Sequence, residues 1–343
     1  MTEPSAGLRG ALGGDLLGVL DLAALAPSVH NTQPWSFTWD GTTLRLHEDL
    51  ARALPVLDGS GRERLLSCGA AVLHARLAFA ALGYDVETQV LPDAERPDLV
   101  AALAVRGRRA ATTEEQELAA AIPKRATERD AFDDEQVDDT ATAALQQAAE
   151  QEGAWLRRVD HGPAGSDAVL ELQVLLSAAD GAQREDPRYL AELATWRRTS
   201  TTGVADRALA TVPAEDRAPT WVGRDFDAAG PARPAGGASG PPPAEHPVVL
   251  VLGTTGDLRV DWVTAGQALG RVLLRATVLG LAAQPLTQVL EVPALRARAR
   301  HALGLVGHPQ VVLRVGHGHT APTSRRRPAS ASTTLLAPVG DPH

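Results

Sequence analysis

The sequence predicts an α+β fold assembled from two units that repeat the same order of elements. Three observations point there. Apolar residues switch along the chain between helical spacing and the tighter spacing of strands. The order of helix, loop, strand, helix and strand that ends near residue 107 begins again at about residue 120. Two runs, Val248 to Leu252 and Val311 to Val315, the second broken only by Arg314, are apolar and rich in β-branched residues, as buried strands are.

The first unit opens with Leu16, Leu17, Val19, Leu20, Leu22 and Leu25 at helical spacing, with Asp15 as an N-cap and Pro27 as a stop. A loop follows through Trp35. Thr43 to His47 alternates as a strand does, Arg62 to Leu82 reads as a long helix ended by Gly83, and Asp85 to Leu91 is again a strand. In the second unit, helical patterns cover Glu135 to Glu150, Ser166 to Ala179 and Trp262 to Gly280, and Trp155 to Val159 is a short strand. The pattern breaks between about residues 200 and 246. Asp227 to His246 is rich in Pro, Gly and Ala, so this stretch is an irregular excursion, either a disordered insertion or a lid. The expected boundaries are 1–115 for the first half and 116–343 for the second.

Composition narrows the function. The chain has 343 residues, 44% of them hydrophobic, enough for a substantial core. No stretch approaches the roughly 20 uninterrupted apolar residues of a membrane span, and the N-terminus lacks the basic-then-apolar pattern of a secretion signal, so the expected location is the cytoplasm, with no membrane partner. A formal charge of −9 argues against nucleic acid as a partner. With Cys68 as the single cysteine, neither an intramolecular disulfide nor a cysteine-based zinc cage can form, so redox chemistry requires a cofactor.

Chemistry concentrates in Pro27-Ser28-Val29-His30-Asn31-Thr32-Gln33-Pro34-Trp35, a loop between a helix and a strand. Ser, Asn and Gln within six residues offer hydroxyl and amide groups that can read a heterocycle edge or a polyol, and two prolines stiffen the loop. The same composition also suits a turn closed by its own Asx bonds. Arg125, Thr127 and Arg129 form a second polar element. Arg325-Arg326-Arg327 is a third, read either as a solvated patch or as a phosphate clamp, since arginine's planar fork binds phosphate through paired hydrogen bonds.

These segments resemble the FMN-dependent nitroreductase family, and in particular its Acg-type actinobacterial branch. The loop is similar to the family's Pro-Ser-x-x-Asn-x-Gln-Pro-Trp signature, and Arg125, Thr127 and Arg129 to its Arg-x-Ser/Thr-x-Arg element. Gly280-Leu281-Ala282-Ala283-Gln284-Pro285-Leu286-Thr287-Gln288 is similar to the segment that approaches the flavin N5 and O4, and Arg325-Arg326-Arg327-Pro328 to the basic element near the C-terminus. The resemblance implies a nitroreductase-like fold with FMN as cofactor. It assigns FMN contacts to Pro27, Ser28, Val29, Asn31, Gln33, Arg125, Thr127, Arg129, Pro285, Leu286, Thr287, Gln288, Arg325 and Arg327. Cys68-Gly69, Trp196, Arg224-Asp225-Phe226 and the helix around Gly266 extend the likeness over most of the chain.

Family nitroreductases are homodimers with two flavin sites. Here each element occurs once: residues 1–15 hold no Arg-x-Ser-x-Arg element, and Gly153-Ala154-Trp155 stands where the second loop would fall. The expectation is a monomer acting as an intramolecular pseudo-dimer with one FMN. The implied activity is an NAD(P)H oxidoreductase with an unidentified small-molecule acceptor. The alternatives are a non-catalytic FMN-sequestering protein, since a lid over 200–246 would leave little room for substrate, and a tailoring dehydrogenase. Because the cofactor performs the hydride chemistry, no catalytic side chain is named. No metal site is expected: His317-Gly318-His319 lacks a third ligand, and Gly253-Thr254-Thr255-Gly256 lacks a Walker lysine. His30 is read as shaping its loop, and Cys68 as a core residue.

Overall fold

A computed structural model describes residues 6–129, 131–159, 168–196, 245–318 and 325–336. Most of the excursion, including Arg224-Asp225-Phe226, lies outside the described residues, as does His319.

The chain begins with α1 (Ala6–Ala24), β1 (Trp35–Trp39) and β2 (Thr43–Glu48), followed by the long helix α2 (Arg62–Ala81), then β3 (Tyr84–Val90) and β4 (Leu99–Arg108). It continues through α3 (Thr113–Ala121), α4 (Asp139–Glu150), β5 (Trp155–Val159), α5 (Ala168–Glu185) and α6 (Pro187–Trp196). After the excursion come β6 (Val248–Thr254), α7 (Arg259–Val278), β7 (Ala282–Leu286), α8 (Gln288–Glu291), α9 (Pro293–Ala302), β8 (His308–Gly316) and β9 (Thr333–Leu335). The helices and sheets make an α+β fold, as the sequence predicts.

The strands form a five-stranded sheet ordered β3-β4-β2-β1-β9 and a four-stranded sheet ordered β5-β6-β8-β7. All neighbours are antiparallel except β1 and β9, whose parallel pairing matches Phe37 with Thr333. The end of the chain is thereby built into the sheet of the N-terminal elements. One core packs α1 and α2 on the first sheet around Trp35, Phe37, Leu65 and Phe79, and another packs α4 and α7 on the second around Leu145, Leu250, Val272 and Leu313.

Between the cores, α2 and α7 cross at two glycines. A Cβ on Gly69 would stand 2.2 Å from the Val263 carbonyl oxygen, and one on Gly266 would stand 2.0 Å from that of Leu66. Only glycine lets the two backbones approach so closely. Among the described residues α2 is the one helix long and apolar enough to cross a membrane, but 83% of it is buried inside the protein, as befits a core helix.

One local expectation is corrected. Asp15 does not cap α1, because the helix begins at Ala6, and Leu8 and Leu12 continue the four-residue spacing of Leu16 and Leu20. Asp15 instead accepts a hydrogen bond from the Tyr84 hydroxyl at 2.7 Å, joining α1 to β3.

Candidate functional site

The loop after α1 is a wound turn with an unusual backbone. His30, Asn31 and Gln33 have φ of 49°, 53° and 50°, the left-handed region that non-glycine residues seldom enter. Such strain, on the order of 1–3 kcal/mol per residue, persists only where the surroundings enforce it. Here they do. Ser28 Oγ accepts from the Gln33 amide at 3.0 Å, and the Val29 amide donates to Ser67 Oγ on α2 at 3.3 Å. The Arg52 guanidinium donates to the Thr32 carbonyl, and the buried Cys68 thiol donates to the Pro34 carbonyl at 3.3 Å.

The C-terminal basic segment is fastened to the same loop from the other side. Asn31 Nδ2 donates to the Arg325 carbonyl at 2.9 Å, the Arg327 amide donates to Gln33 Oε1 at 2.7 Å, and the Arg327 guanidinium donates to the Trp35 carbonyl at 2.7 Å. These bonds join positions almost 300 residues apart, so the loop and the arginine triplet form one structural unit. Asn31 Oδ1 remains buried with no hydrogen-bond partner among the described residues.

The next element meets this unit through charge. Arg125 is buried, and its pKa is pushed down to about 9, first by burial and then by repulsion from Arg326 and Arg129. Burial also lowers Arg129 to about 10. Arg326 falls to about 10 as well, through burial and the charge of Arg129. Arg125 Nε has no partner among the described residues, and the guanidinium's hydrogen bond there is a long one of 3.4 Å from Nη1 to Thr127 Oγ1. Like charges this close in a low-dielectric place are costly, a cost that the charge of Glu128 offsets in part at Arg129. The cluster therefore has the chemistry of a site for a doubly charged oxyanion such as phosphate.

The backbone of the same element lies along β7, where the Glu128 amide donates to the Ala283 carbonyl at 3.0 Å. That bond ties the Arg125 to Arg129 element to β7, two residues before Pro285 in the chain. Behind β7, the fully buried Arg314 donates to Gln284 Oε1 at 2.9 Å and pairs with Glu245 at 2.7 Å. Gln288 is buried and its Nε2 has no hydrogen-bond partner among the described residues. The loop and the triplet are thus joined directly, and the Arg125 element meets the triplet through charge and β7 through one bond; an unmet acceptor remains on Asn31 and unmet donors on Arg125 and Gln288 among the described residues.

Sequence reasoning chose Arg325 and Arg327 from the triplet, yet Arg326 is the one that shares the buried positive cluster. Successive side chains in an extended segment point to opposite sides. The Arg327 guanidinium bonds to Trp35 at the end of the loop, while that of Arg326 donates to the Leu25 carbonyl just before it, at 3.4 Å. Arg52 and Ser67, which hold the loop in shape, carry no local sequence signal. Trp196 at the end of α6 lies against Leu54 and Leu57, with the Arg52 guanidinium 5.2 Å from its ring centre. Glu192 on the same helix accepts from the Val56 and Leu57 amides at 2.9 Å each.

No family model matches the chain. Its relatives are more telling. It is 35% identical over 303 residues to a Mycobacterium tuberculosis protein named "Putative NAD(P)H nitroreductase Rv3131", a match that covers 87% of this chain and 83% of the relative. It is 31% identical over 317 residues to "Putative NAD(P)H nitroreductase acg" of the same organism, covering 90% of this chain and 92% of that one. The chain belongs to the nitroreductase family, in its Acg-type branch. The fold agrees: the structure of a putative nitroreductase from Anabaena variabilis superposes with a TM-score of 0.51 over 93% of this chain and 90% of that one, at 11% identity. For this nitroreductase, the signature loop and the C-terminal arginine triplet are joined directly by hydrogen bonds.

Proposed function

We propose that this nitroreductase binds one FMN at the seam of its two halves, 1–115 and 116–343, and draws electrons from NAD(P)H for a small-molecule acceptor. The observation that carries the reading is the buried Arg125, with the half-buried Arg129 and Arg326 close enough to repel it, beside the stapled signature loop. FMN fits this donor set. Its phosphate suits the buried Arg125 guanidinium, whose Nε is unmet among the described residues, and its heterocycle edge offers both donors and acceptors to Asn31 Oδ1 and Gln288 Nε2.

When bound, FMN supplies hydride acceptance at its N5, and that is the chemistry the side chains do not provide. The protein's own part is binding and orientation. Arg125, Arg129 and Arg326 hold the phosphate end. Asn31 and Gln288 present amide groups to the ring, and Pro285 to Thr287 supply a backbone edge whose position is fixed by the pairing of β7 with β8. Ser28, Gln33, Arg325 and Arg327 maintain the loop that delivers Asn31. Thr127 supports Arg125. The relatives' printed names support the electron donor, being NAD(P)H nitroreductases of 31–35% identity.

The test is anaerobic mixing of the FMN-loaded protein with NADH or NADPH. Bleaching of the oxidised flavin band near roughly 450 nm within seconds is the expected result. A flavin that dithionite reduces and neither nucleotide does would replace this reading with FMN sequestration.

A further inference from the structure

The order of strands repeats between the two sheets. The first runs β3-β4-β2-β1 before it reaches β9, and the second runs β7-β8-β6-β5, with antiparallel neighbours in both runs. β1 and β5 each open on a tryptophan, Trp35 and Trp155. The central helices cross reciprocally: a Cβ on Gly69 meets the carbonyl of Val263, three residues before Gly266, and one on Gly266 meets that of Leu66, three residues before Gly69. Their first residues cross over in the same way. Arg62 of α2 donates to the Gln310 carbonyl in β8, and Arg259 of α7 to the Pro97 carbonyl just before β4, each at 2.7 Å.

Counting outward from the two glycines, Ser67 corresponds to Thr264 and His74 to Arg271. The first pair marks two loops. Ser67 holds the Val29 amide of the signature loop, and Thr264 is the nearest neighbour, at 3.7 Å, of a Cβ placed on Gly153 in the turn before β5. The second pair marks the charge beside each loop. His74 feels Arg125 and Arg326, the proposed phosphate end, whereas Arg271 is buried against a carboxylate.

That carboxylate is Glu152, the neighbour of Gly153. It takes Arg271 at 2.7 Å and Arg76 of α2 at 2.6 Å, with its own side chain only 4% exposed. Gln267 Oε1 accepts from Arg76 at 2.8 Å and Gln151 Oε1 from Arg271 at 3.3 Å. Around them Glu114 of α3 pairs with Arg275 and stands 3.8 Å from Arg271, and Glu117 lies 3.6 Å from Arg275. Three arginines thus face three carboxylates. A buried carboxylate that holds two guanidiniums leaves neither of them to an anionic ligand.

We infer that Glu152 is the built-in anion of a second, silent phosphate place: it occupies Arg76 and Arg271 and so keeps phosphate-bearing ligands out of the seam that corresponds to the signature loop. The inference rests on the reading that Arg125 marks the phosphate end of an FMN site, and it names the residue that closes the other seam. Removal of the carboxylate leaves two guanidiniums, already directed at one group, in a largely buried place where a phosphate takes over the pairing.

The test titrates the FMN-loaded full chain with inorganic phosphate at fixed ionic strength. Glu152→Ala is expected to bind phosphate roughly tenfold or more tightly than wild type does, the gain of at least one charge-assisted bond, and combining it with Arg271→Ala should return binding to the wild-type level. No gain in Glu152→Ala, or a gain that survives the loss of Arg271, overturns the assignment. Should that variant fail to fold, Glu152→Gln keeps the side chain's size without its charge. Its denaturation midpoint should rise more in phosphate than in chloride of equal ionic strength, while wild type responds equally to both, and equal responses in the variant overturn the assignment as well. Because the readout depends on Arg271 and not on Arg125, a chain that proves not to bind FMN removes the proposed function and leaves this assignment to its own result.

Discussion

Arg125 concentrates the electrostatic argument in one side chain. It is buried, repelled by two neighbouring guanidiniums, and its guanidinium makes a long hydrogen bond of 3.4 Å to Thr127. A phosphate would supply the missing partner through charge-assisted bonds on the order of 1.5–3 kcal/mol. Arg125→Ala should therefore weaken FMN binding roughly tenfold or more. Arg109→Ala should not, because Arg109 spends its charge on Glu115 at 2.5 Å, at the start of α3. Equal FMN affinities in a titration of the two variants would show the phosphate site to be elsewhere. His74 lies deeper on α2, fully buried, with Nδ1 at 3.3 Å from the Leu22 carbonyl. Burial, then the charge of Arg125, brings its pKa down to about 3 from 6.5, while a hydrogen bond to Leu22 opposes and Arg326 adds to the fall. The unfolded chain takes up a proton there below about pH 6.5 and the native one resists until about 3, so this group costs stability as pH falls through that window. Asp58 acts oppositely: burial raises it to about 6 from 3.8, and its contribution declines as pH rises through that range. Comparing variants isolates His74. His74→Gln should lose less stability than wild type between pH 6.5 and 4 in denaturant titrations, and parallel pH profiles would refute the assignment.

At the level of elements, the crossing of α2 and α7 depends on the smallest side chain. Gly266→Ala would drive a methyl to within 2.0 Å of a backbone carbonyl that cannot swing aside. Overpacking of this kind costs about 1–3 kcal/mol or more. Gly18→Ala on α1 meets nothing within 4 Å and should be neutral or stabilising by up to about 1 kcal/mol, so the two alanines are expected to move the denaturation midpoint in different directions. These helices were also the most legible part of the sequence, because long periodic segments carry their own signal. Arg62 to Leu82 and Trp262 to Gly280 are read within a few residues of α2 and α7. Trp155 to Val159 is read as β5 stands. Other elements were not foreseen. The run Leu99–Arg108 is Ala- and Arg-rich and forms β4 only because β2 and β3 pair with it on both sides. The segment Thr333–Leu335 is three residues long and becomes β9 by lying beside β1. Helix α6 starts at Pro187 directly after α5 and ends on Trp196, a residue singled out by family likeness and buried by contact with Leu54 and Leu57.

For the whole molecule, the question is how many flavins one chain can hold. The local motifs of the site were legible because each is a short run of special residue types. Their assembly was not, since the bonds from Asn31 to Arg325 and from Arg327 to Gln33 each span 294 positions. The choice among three adjacent arginines depended on which way an extended segment faces. The count of sites follows from what occurs once. The strained loop at His30 to Gln33 has its counterpart in order at the turn between α4 and β5. There stand Gly153, with φ of 79°, and Ala154, neither of which has an amide or hydroxyl side chain, and the amide of Gln151 before them accepts from Arg271 at 3.3 Å. Arg125, Arg129 and Arg326 are likewise all committed to one place. If the halves are related as the two subunits of a homodimeric nitroreductase, one seam keeps its full donor set and the other has lost it. Purified protein should therefore carry FMN at one equivalent per chain, measured by flavin absorbance after denaturation and independently by phosphate content. Arg326→Ala should lower occupancy without creating a second class of sites, because it removes a phosphate contact and leaves the loop's own hydrogen bonds in place. A stoichiometry near two would mean that the Gly153 turn, or another part of the second seam, binds flavin without the signature, and the single-site account of the fold would fall with it.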